Sequence, residues 1–390
     1  MLNLQKAYLR HAQYYKNKLS EVADLYSVAG DNVKQSLILL DKIWPNIQLG
    51  QAWATTNVEN DLEAKQLCCD YPNVGSNILN LYQHPLDVIK WRNDGLVSAR
   101  SLKRLDSECL HLNNLGNSYL KLGNPSKAIE YLKGALQISQ EIEDRFEEAT
   151  ALDSLGSAYA DLGKFPKAIE YYEQALIIAR QLKDEISEGA SLSNLGNAFA
   201  DLGNYDKAIE YGELALNITH KLNLQIEKST VLTNLGAIHY ILGNFHKAIE
   251  YHNQALGVVR NLGLRSKEGD VLNNISTVYA ELGEDQKAFE VLQNALVIHQ
   301  ETNNLRSQAM TLFNLSMVSF VGIRKPKNAM VYAQASQKAF KESGCKVPRQ
   351  IQFLLTILSS QSLTRLFMLL ISLFSIIRKT KTPKDKLTTN

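Results

Sequence analysis

The sequence predicts an all-α fold, an α-solenoid of tandem helix-turn-helix hairpins, on three observations. Lys-Ala-Ile-Glu-Tyr stands at 127–131, 167–171, 207–211 and 247–251 and decays to Lys-Ala-Phe-Glu-Val at 287–291, each copy 40 residues after the last. Leu-Gly pairs end at Gly123, Gly163, Gly203, Gly243 and Gly283 in the same phase, and glycine supplies the left-handed backbone conformation that closes a helix. Only 8 of 390 residues are proline, well under the usual share of about 5%, which suits long uninterrupted helices. Length here counts repeats, not domains.

Composition sets the outer limits. At 45% hydrophobic and 21% charged residues the chain can bury a core, unlike a disordered polyelectrolyte. A net charge of +2 gives no bulk attraction to nucleic acid or to a membrane surface. Four cysteines, with Cys68 and Cys69 adjacent, make no disulfide framework and fit a reducing, cytoplasmic setting. The N-terminal stretch scatters its charges and lacks the apolar run of a secretory leader.

Taken in order, the first element is residues 1–83, read as divergent helical hairpins. All three tryptophans, Trp44, Trp53 and Trp91, precede residue 92 and set this quarter apart. Pro85, Ile89, Trp91 and Leu96 lie 40 residues before Pro125, Ile129, Tyr131 and Leu136, so residues 84–103 read as the second helix of an early hairpin, and the array extends over 84–344. From 107 to about 343 there are six units. Within one, Leu192, Leu195, Ala198, Phe199 and Leu202 hold helical spacing, Gly203 ends that helix, and Ala208, Ile209, Leu214, Ala215 and Ile218 carry the next. Small residues at 116, 156, 196, 236, 276 and 316 let paired helices approach closely. The sixth unit is degenerate, its turn lengthened between Gly322 and Ala329.

Residues 345–390 form an apolar helix and a basic tail. Phe353 to Ile377 is 25 residues long, enough to span a bilayer when tilted. Arg365 lies in its middle, at an insertion cost of about 2.5–3.5 kcal/mol. Gln361, Arg365, Ser372 and Ser375 draw a polar stripe down one face. Three roles are open to it: a cap on the end of the solenoid, a membrane span, or an interfacial attachment.

With these residues in view, each unit resembles a tetratricopeptide repeat, its small-and-large pattern falling on Leu195, Gly196, Phe199, Ala208 and Ala215, with Tyr172 in the unit before. The 40-residue unit, longer than the usual ~34, is similar to the long-helix variant of kinesin light chains and spindle-orientation adaptors. The resemblance implies a right-handed superhelix with a concave groove lined by the first helix of each hairpin. The stretch from His11 through Trp53 to Pro85 resembles the helical segment that precedes such arrays in bacterial signal-transduction ATPases of the NB-ARC (STAND) type. No Gly-x-x-x-x-Gly-Lys-Ser/Thr loop occurs, so nothing here cradles a nucleotide phosphate, and the resemblance implies a sensor arm without its ATPase.

Catalytic chemistry is missing from the pattern. His239, His246 and His252 cluster within one repeat but complete no ligand set with Cys, Asp or Glu. Cys68-Cys69 lacks redox spacing, and no Gly-x-Ser-x-Gly elbow occurs. No cofactor or metal is expected, and the repeated Glu130, Glu170, Glu210 and Glu250 read as a solvated face.

One repeated polar position differs. Asn114, Asn194, Asn234, Asn274 and Asn314 recur in phase, broken only by Ser154. The resemblance places them as a column along the groove, where a carboxamide offers an acceptor and two donors to the backbone of an extended peptide. Asn117, Ser157, Asn197, Ala237 and Thr277 follow as small or polar neighbours. Lys121, Asp161, Asp201 and Glu281 bias the lining towards acid, favouring a basic segment. The same asparagines can instead bridge adjacent hairpins. The reading is a non-enzymatic scaffold that binds an extended peptide or partner segment through Asn114, Asn117, Asn194, Asn197, Asn234, Asn274 and Asn314. It competes with a detached regulatory arm acting in trans on a STAND-type ATPase, and with a membrane-attached assembly scaffold in contact through 353–377. Nucleic acid is not expected as a partner.

Overall fold

The computed structural model describes residues 2–27, 31–76, 78–79, 83, 85–343 and 345–368. Among the described residues there is helix and no strand, and the fold is an all-α solenoid of tandem helix-turn-helix hairpins. The chain divides into two compact units, Met1–Tyr211 and Gly212–Asn390.

In the first unit, helices α1 (Leu2–Ser27), α2 (Asp31–Asn57) and α3 (Leu62–Val74) close around Ala12, Leu19, Leu40, Ile47, Leu67 and Tyr71. The Tyr71 hydroxyl donates to the Ala12 carbonyl at 2.6 Å, so the largest buried ring of this bundle leaves no polar atom unpaired. Pro45 and Pro72 lie inside α2 and α3, so the few prolines are not confined to turns. Helix α4 (Pro85–Leu102) is the second helix expected over 84–103. Then come α5 (Leu105–Lys121) with α6 (Pro125–Glu141), and α7 (Arg145–Asp161) with α8 (Phe165–Leu182). Helix α9 (Glu185–Asp201) and the start of α10 (Tyr205–Lys221) complete the unit.

The repeated motif has a local cause. In Lys127–Tyr131, Ala128 is buried, Glu130 exposed, and Tyr131 stacks on Tyr119 at 5.3 Å and 10°. Lys127 places its ammonium 4.4 Å from the Tyr119 ring centroid. The next unit repeats the sandwich with Tyr159, Tyr171 and Lys167, and the third with Phe199, Tyr211 and Lys207. Each motif therefore pins the second helix of a hairpin to the end of the first.

Two kinds of turn alternate. Inside hairpins, Gly123, Gly163, Gly203, Gly243 and Gly283 take φ of +70° to +83°, as their place in the sequence predicts. Between hairpins the same left-handed conformation falls on Lys103, Glu143, Lys183, Asn223 and Asn303, with only Gly263 supplying glycine. Beside these turns Arg100 pairs with Glu108 at 2.7 Å and Arg180 with Glu188 at 2.8 Å, joining consecutive hairpins.

In the second unit, α11 (Gln225–Ile241) pairs with α12 (Phe245–Asn261), and α13 (Arg265–Glu281) with α14 (Asp285–Glu301). Helix α15 (Leu305–Met317) runs into a π turn, Val318–Gly322, before α16 (Pro326–Glu342), which is how the lengthened sixth turn is accommodated. Helix α17 (Arg349–Ser359) buries Ile351, Leu354 and Ile357 against Phe320, Ala329, Ala333 and Phe340.

The single helix expected over 353–377 is corrected. Helix α17 stops at Ser360, whose φ of −108° and ψ of 116° are extended, and a second helical stretch covers 361–368. Ser360 caps that stretch, its carbonyl accepting from the Thr364 N–H and its hydroxyl from the Leu363 N–H. A hydroxyl placed to satisfy the orphan amides of a new helix favours the break. Arg365 is exposed, and residues 369–377 lie outside the described residues. No helix among the described residues is long and apolar enough to cross a membrane.

Candidate functional site

On each first helix the positions that do not pack inward form one row. In α5, Leu110, Asn114, Asn117 and Lys121 stand at i, i+4, i+7 and i+11, all half-buried or exposed, while Leu112, Leu115, Gly116 and Tyr119 are buried. The row continues in the first unit as Thr150, Ser154, Ser157 and Asp161, then Ala190, Asn194, Asn197 and Asp201. In the second unit it reads Thr230, Asn234, Ala237 and Ile241; Asp270, Asn274, Thr277 and Glu281; and Met310, Asn314, Met317 and Val321. Every asparagine of the expected column is half-buried, and Ser154 is buried.

Their hydrogen bonding separates them. Asn194 donates its amide to both carboxylate oxygens of Asp153, at 3.1 and 3.0 Å, and the Ser191 hydroxyl donates to the same carboxylate at 3.3 Å. Asn194 thus bridges two hairpins. At two other positions the bridge is made by the preceding residue: Asn113 donates to Glu147 at 2.7 Å and Asn273 to Thr311 at 2.8 Å. The carboxamides of Asn114, Asn117, Asn274 and Asn314 make no hydrogen bond among the described residues.

Charge along the row is set by burial. Desolvation pushes the Asp153 carboxyl up, opposed by its hydrogen bonds from Asn194 and Ser191, and burial pushes Asp201 up as well. Lys121 is pushed down by burial and then by the nearby Arg92 charge. Arg92 itself is buried at 2% exposure. Its guanidinium donates to the Asn114 carbonyl at 2.8 Å, the Ser76 carbonyl at 3.3 Å and the Ser118 hydroxyl, so it fixes the backbone beneath the first asparagine. Burial holds it down to about 10.

Sequence reasoning missed Asp153, which sits one residue before the break in the column. It also missed the apolar end of the row, where Ile241, Met310, Met317 and Val321 are 56%, 42%, 38% and 39% exposed. Their 40-residue phase with Leu110, Asn117 and Lys121 was the available signal. Three of the four cysteines are buried, and His111, His239, His252 and His299 are packing residues, buried to 3% exposure or less. Among the described residues no group of three His, Cys, Asp or Glu side chains is placed to hold a metal ion.

Tetratricopeptide-repeat family models match residues 107–181 and 187–261 in one case and 270–308 in another, in register with the hairpins. This is a tetratricopeptide-repeat protein. No curated protein sequence matches it. The solved structure of aspartyl phosphate phosphatase F from Bacillus subtilis is 15% identical, with a TM-score of 0.62 over 89% of this chain and 95% of the other. A Rap protein solved in complex with competence and sporulation factor is 14% identical, with a TM-score of 0.51 over 81% and 99%. The STAND protein with a tetratricopeptide-repeat sensor from Pyrococcus horikoshii is 19% identical, with a TM-score of 0.57 over 86% of this chain and 52% of the other. At these identities the likeness is one of fold. The tetratricopeptide repeats support a protein-interaction scaffold, a class that is in general non-catalytic.

Proposed function

We propose that the tetratricopeptide array over 84–344, flanked by 1–83 and 345–390, binds an extended peptide or partner segment along the row of first-helix asparagines. The observation that carries this is the pair Asn274 and Asn314. They occupy the same place on consecutive first helices of one unit, half-buried, with carboxamides that make no hydrogen bond among the described residues. A half-buried amide that is not used internally is a cost that a peptide backbone can remove by supplying both an N–H and a C=O. Asn114 and Asn117 offer the same in the first unit. Asp161, Asp201 and Glu281 add negative charge at the next position, so a segment carrying Lys or Arg fits better than an acidic one. In the second unit Ile241, Met310 and Met317 give apolar contacts for the other side chains of a segment bound there. The Rap protein solved in complex with competence and sporulation factor supports a partner-binding role for a chain of this fold.

The test is an array of immobilised, unstructured peptides of mixed basic and apolar sequence, probed with the full chain and with an Asn114→Ala, Asn274→Ala, Asn314→Ala triple variant. The reading expects captured peptides to lose affinity by about tenfold or more in the variant, with the thermal melt unmoved. Equal binding by both proteins, or capture of acidic peptides in preference to basic ones, refutes it.

A further inference from the structure

Between α2 and α4 the first unit holds a cavity of about 470 Å³ that the asparagine row does not reach. Its walls follow helical spacing. Gln48, Gln51 and Thr55 stand on one face of α2, and Asp87, Trp91 and Asp94 on the facing side of α4. Gln51 is buried at 1% exposure. Its amide donates to the Thr55 hydroxyl at 3.4 Å, and its Oε1 has no partner on the cavity lining. Gln83 leaves a second buried Oε1 without a partner on the same lining.

Charge points the same way. Asp94 is half-buried and makes no hydrogen bond or ion pair among the described residues. Burial pushes its carboxyl up, and the charge of Lys90, which lines the same cavity, opposes that shift. Asp87 adds a second carboxylate at the rim. The lining thus carries two carboxylates against one cation, Lys90, which makes no ion pair with either among the described residues, and the Trp91 indole supplies an apolar wall, stacked on Trp44 at 6.2 Å and 19°. Two carboxylates fall short of the ligand set a metal ion needs, and among the described residues no such set exists.

We propose that this cavity binds an organic cation, a guanidinium or primary ammonium on an alkyl stem. The charged head pairs with Asp94 and Asp87 and donates to the orphan oxygens of Gln51 and Gln83, while the stem lies along Trp91. A free diamine-type metabolite and the Arg or Lys side chain of a partner segment share this chemistry. The proposal does not rest on the asparagine row.

Because all three tryptophans precede residue 92 and Trp91 lines the cavity, intrinsic fluorescence of the full chain reads this site. Agmatine and a capped Gly-Arg-Gly tripeptide are titrated separately up to about 10 mM, a range that covers weak binding, with N-butylurea as the uncharged control. A saturable change with agmatine alone identifies a small-molecule site, and one with the tripeptide alone or with both identifies a side-chain pocket. Asp94→Asn, nearly isosteric, is expected to weaken the binding by about tenfold or more with an unchanged melt, while Asp161→Asn on the remote row leaves it as it was. The proposal is overturned if neither cation gives a saturable change, if N-butylurea binds as well as agmatine, or if Asp94→Asn binds agmatine like the natural chain.

Discussion

The close approach of paired helices makes a prediction in which one substitution, glycine to alanine, changes sign with its surroundings. At Gly156 in α7 an added Cβ would stand 2.5 Å from Cε1 and 2.6 Å from Cδ1 of Tyr172 in α8. Carbon atoms rest at about 3.5–4.0 Å, so the ring must retreat by about 1 Å. It has little room, being 4% exposed and tied by its hydroxyl to Ser157 at 3.1 Å. Overpacking of this kind costs about 1–3 kcal/mol, and loss of the hydroxyl contact about 1 kcal/mol. Alanine returns about 1 kcal/mol of helix propensity. Gly156→Ala is therefore expected to destabilise by about 1–3 kcal/mol. Gly257 in α12 has no atom within 4 Å of the same Cβ, so Gly257→Ala keeps only the propensity gain and stabilises by about 1 kcal/mol.

Hydrogen exchange of the amides in α7 and α12 reads the two effects locally, which suits an array whose units need not unfold as one. Removing the ring first, in Tyr172→Ala, should turn Gly156→Ala from loss to gain, a coupling of about 2–4 kcal/mol. If both glycine variants protect their helices equally, propensity alone governs these positions and the reasoning from close approach fails.

Burial and backbone geometry give two further expected outcomes. His111 and His252 are each pushed down to about 4, chiefly by burial, with the Arg92 and Arg104 charges adding to the effect at His111. The folded chain keeps both rings neutral while the unfolded chain protonates below the ordinary value of 6.5. Their contribution is complete above that value and is lost as pH falls from it towards about 4, at about 1.4 kcal/mol per pH unit for each ring. Urea melts across that window should flatten in His252→Leu, the residue type found at Leu132 and Leu292, and an unaltered slope contradicts the assignment. At the inter-hairpin turns, Lys183 holds φ of +56° and Gly263 of +65°. Lys183→Gly should stabilise and Gly263→Ala destabilise, each by about 1 kcal/mol, with calorimetric midpoints moving in opposite directions; a shared direction would show that the left-handed conformation carries no cost here.

The period, the helices and the glycine turns were legible in the sequence because each depends on residues within one or two helical turns of one another. A left-handed cap at Gly203, or a stacked pair such as Phe199 and Tyr211, is specified by neighbours that successive copies carry at the same spacing. The asparagine column was legible as a column, but its chemistry was not. Asn194 is committed to Asp153, which lies 41 residues away in sequence, whereas Asn274 and Asn314 are not so committed. The left-handed residues at Glu143 and Lys183 were also hidden, since tertiary packing of consecutive hairpins forces the conformation on side chains that do not prefer it. At the C-terminal end the apolar run reads as one span. Burial of Ile351, Leu354 and Ile357 against the last hairpin, with Ser360 capping the helical stretch over 361–368, divides it.

The repeat, its hairpins and the face on which a ligand would lie came from the amino-acid order alone, because periodic local preferences add up along the chain. Packing settled which polar groups on that face remain unpaired, and it assembled the cavity between α2 and α4 from residues such as Gln51 and Asp94 that share no local pattern. Hydrogen-bond satisfaction and exposure depend on which distant atoms arrive beside a side chain, and only the packed helices bring those atoms together.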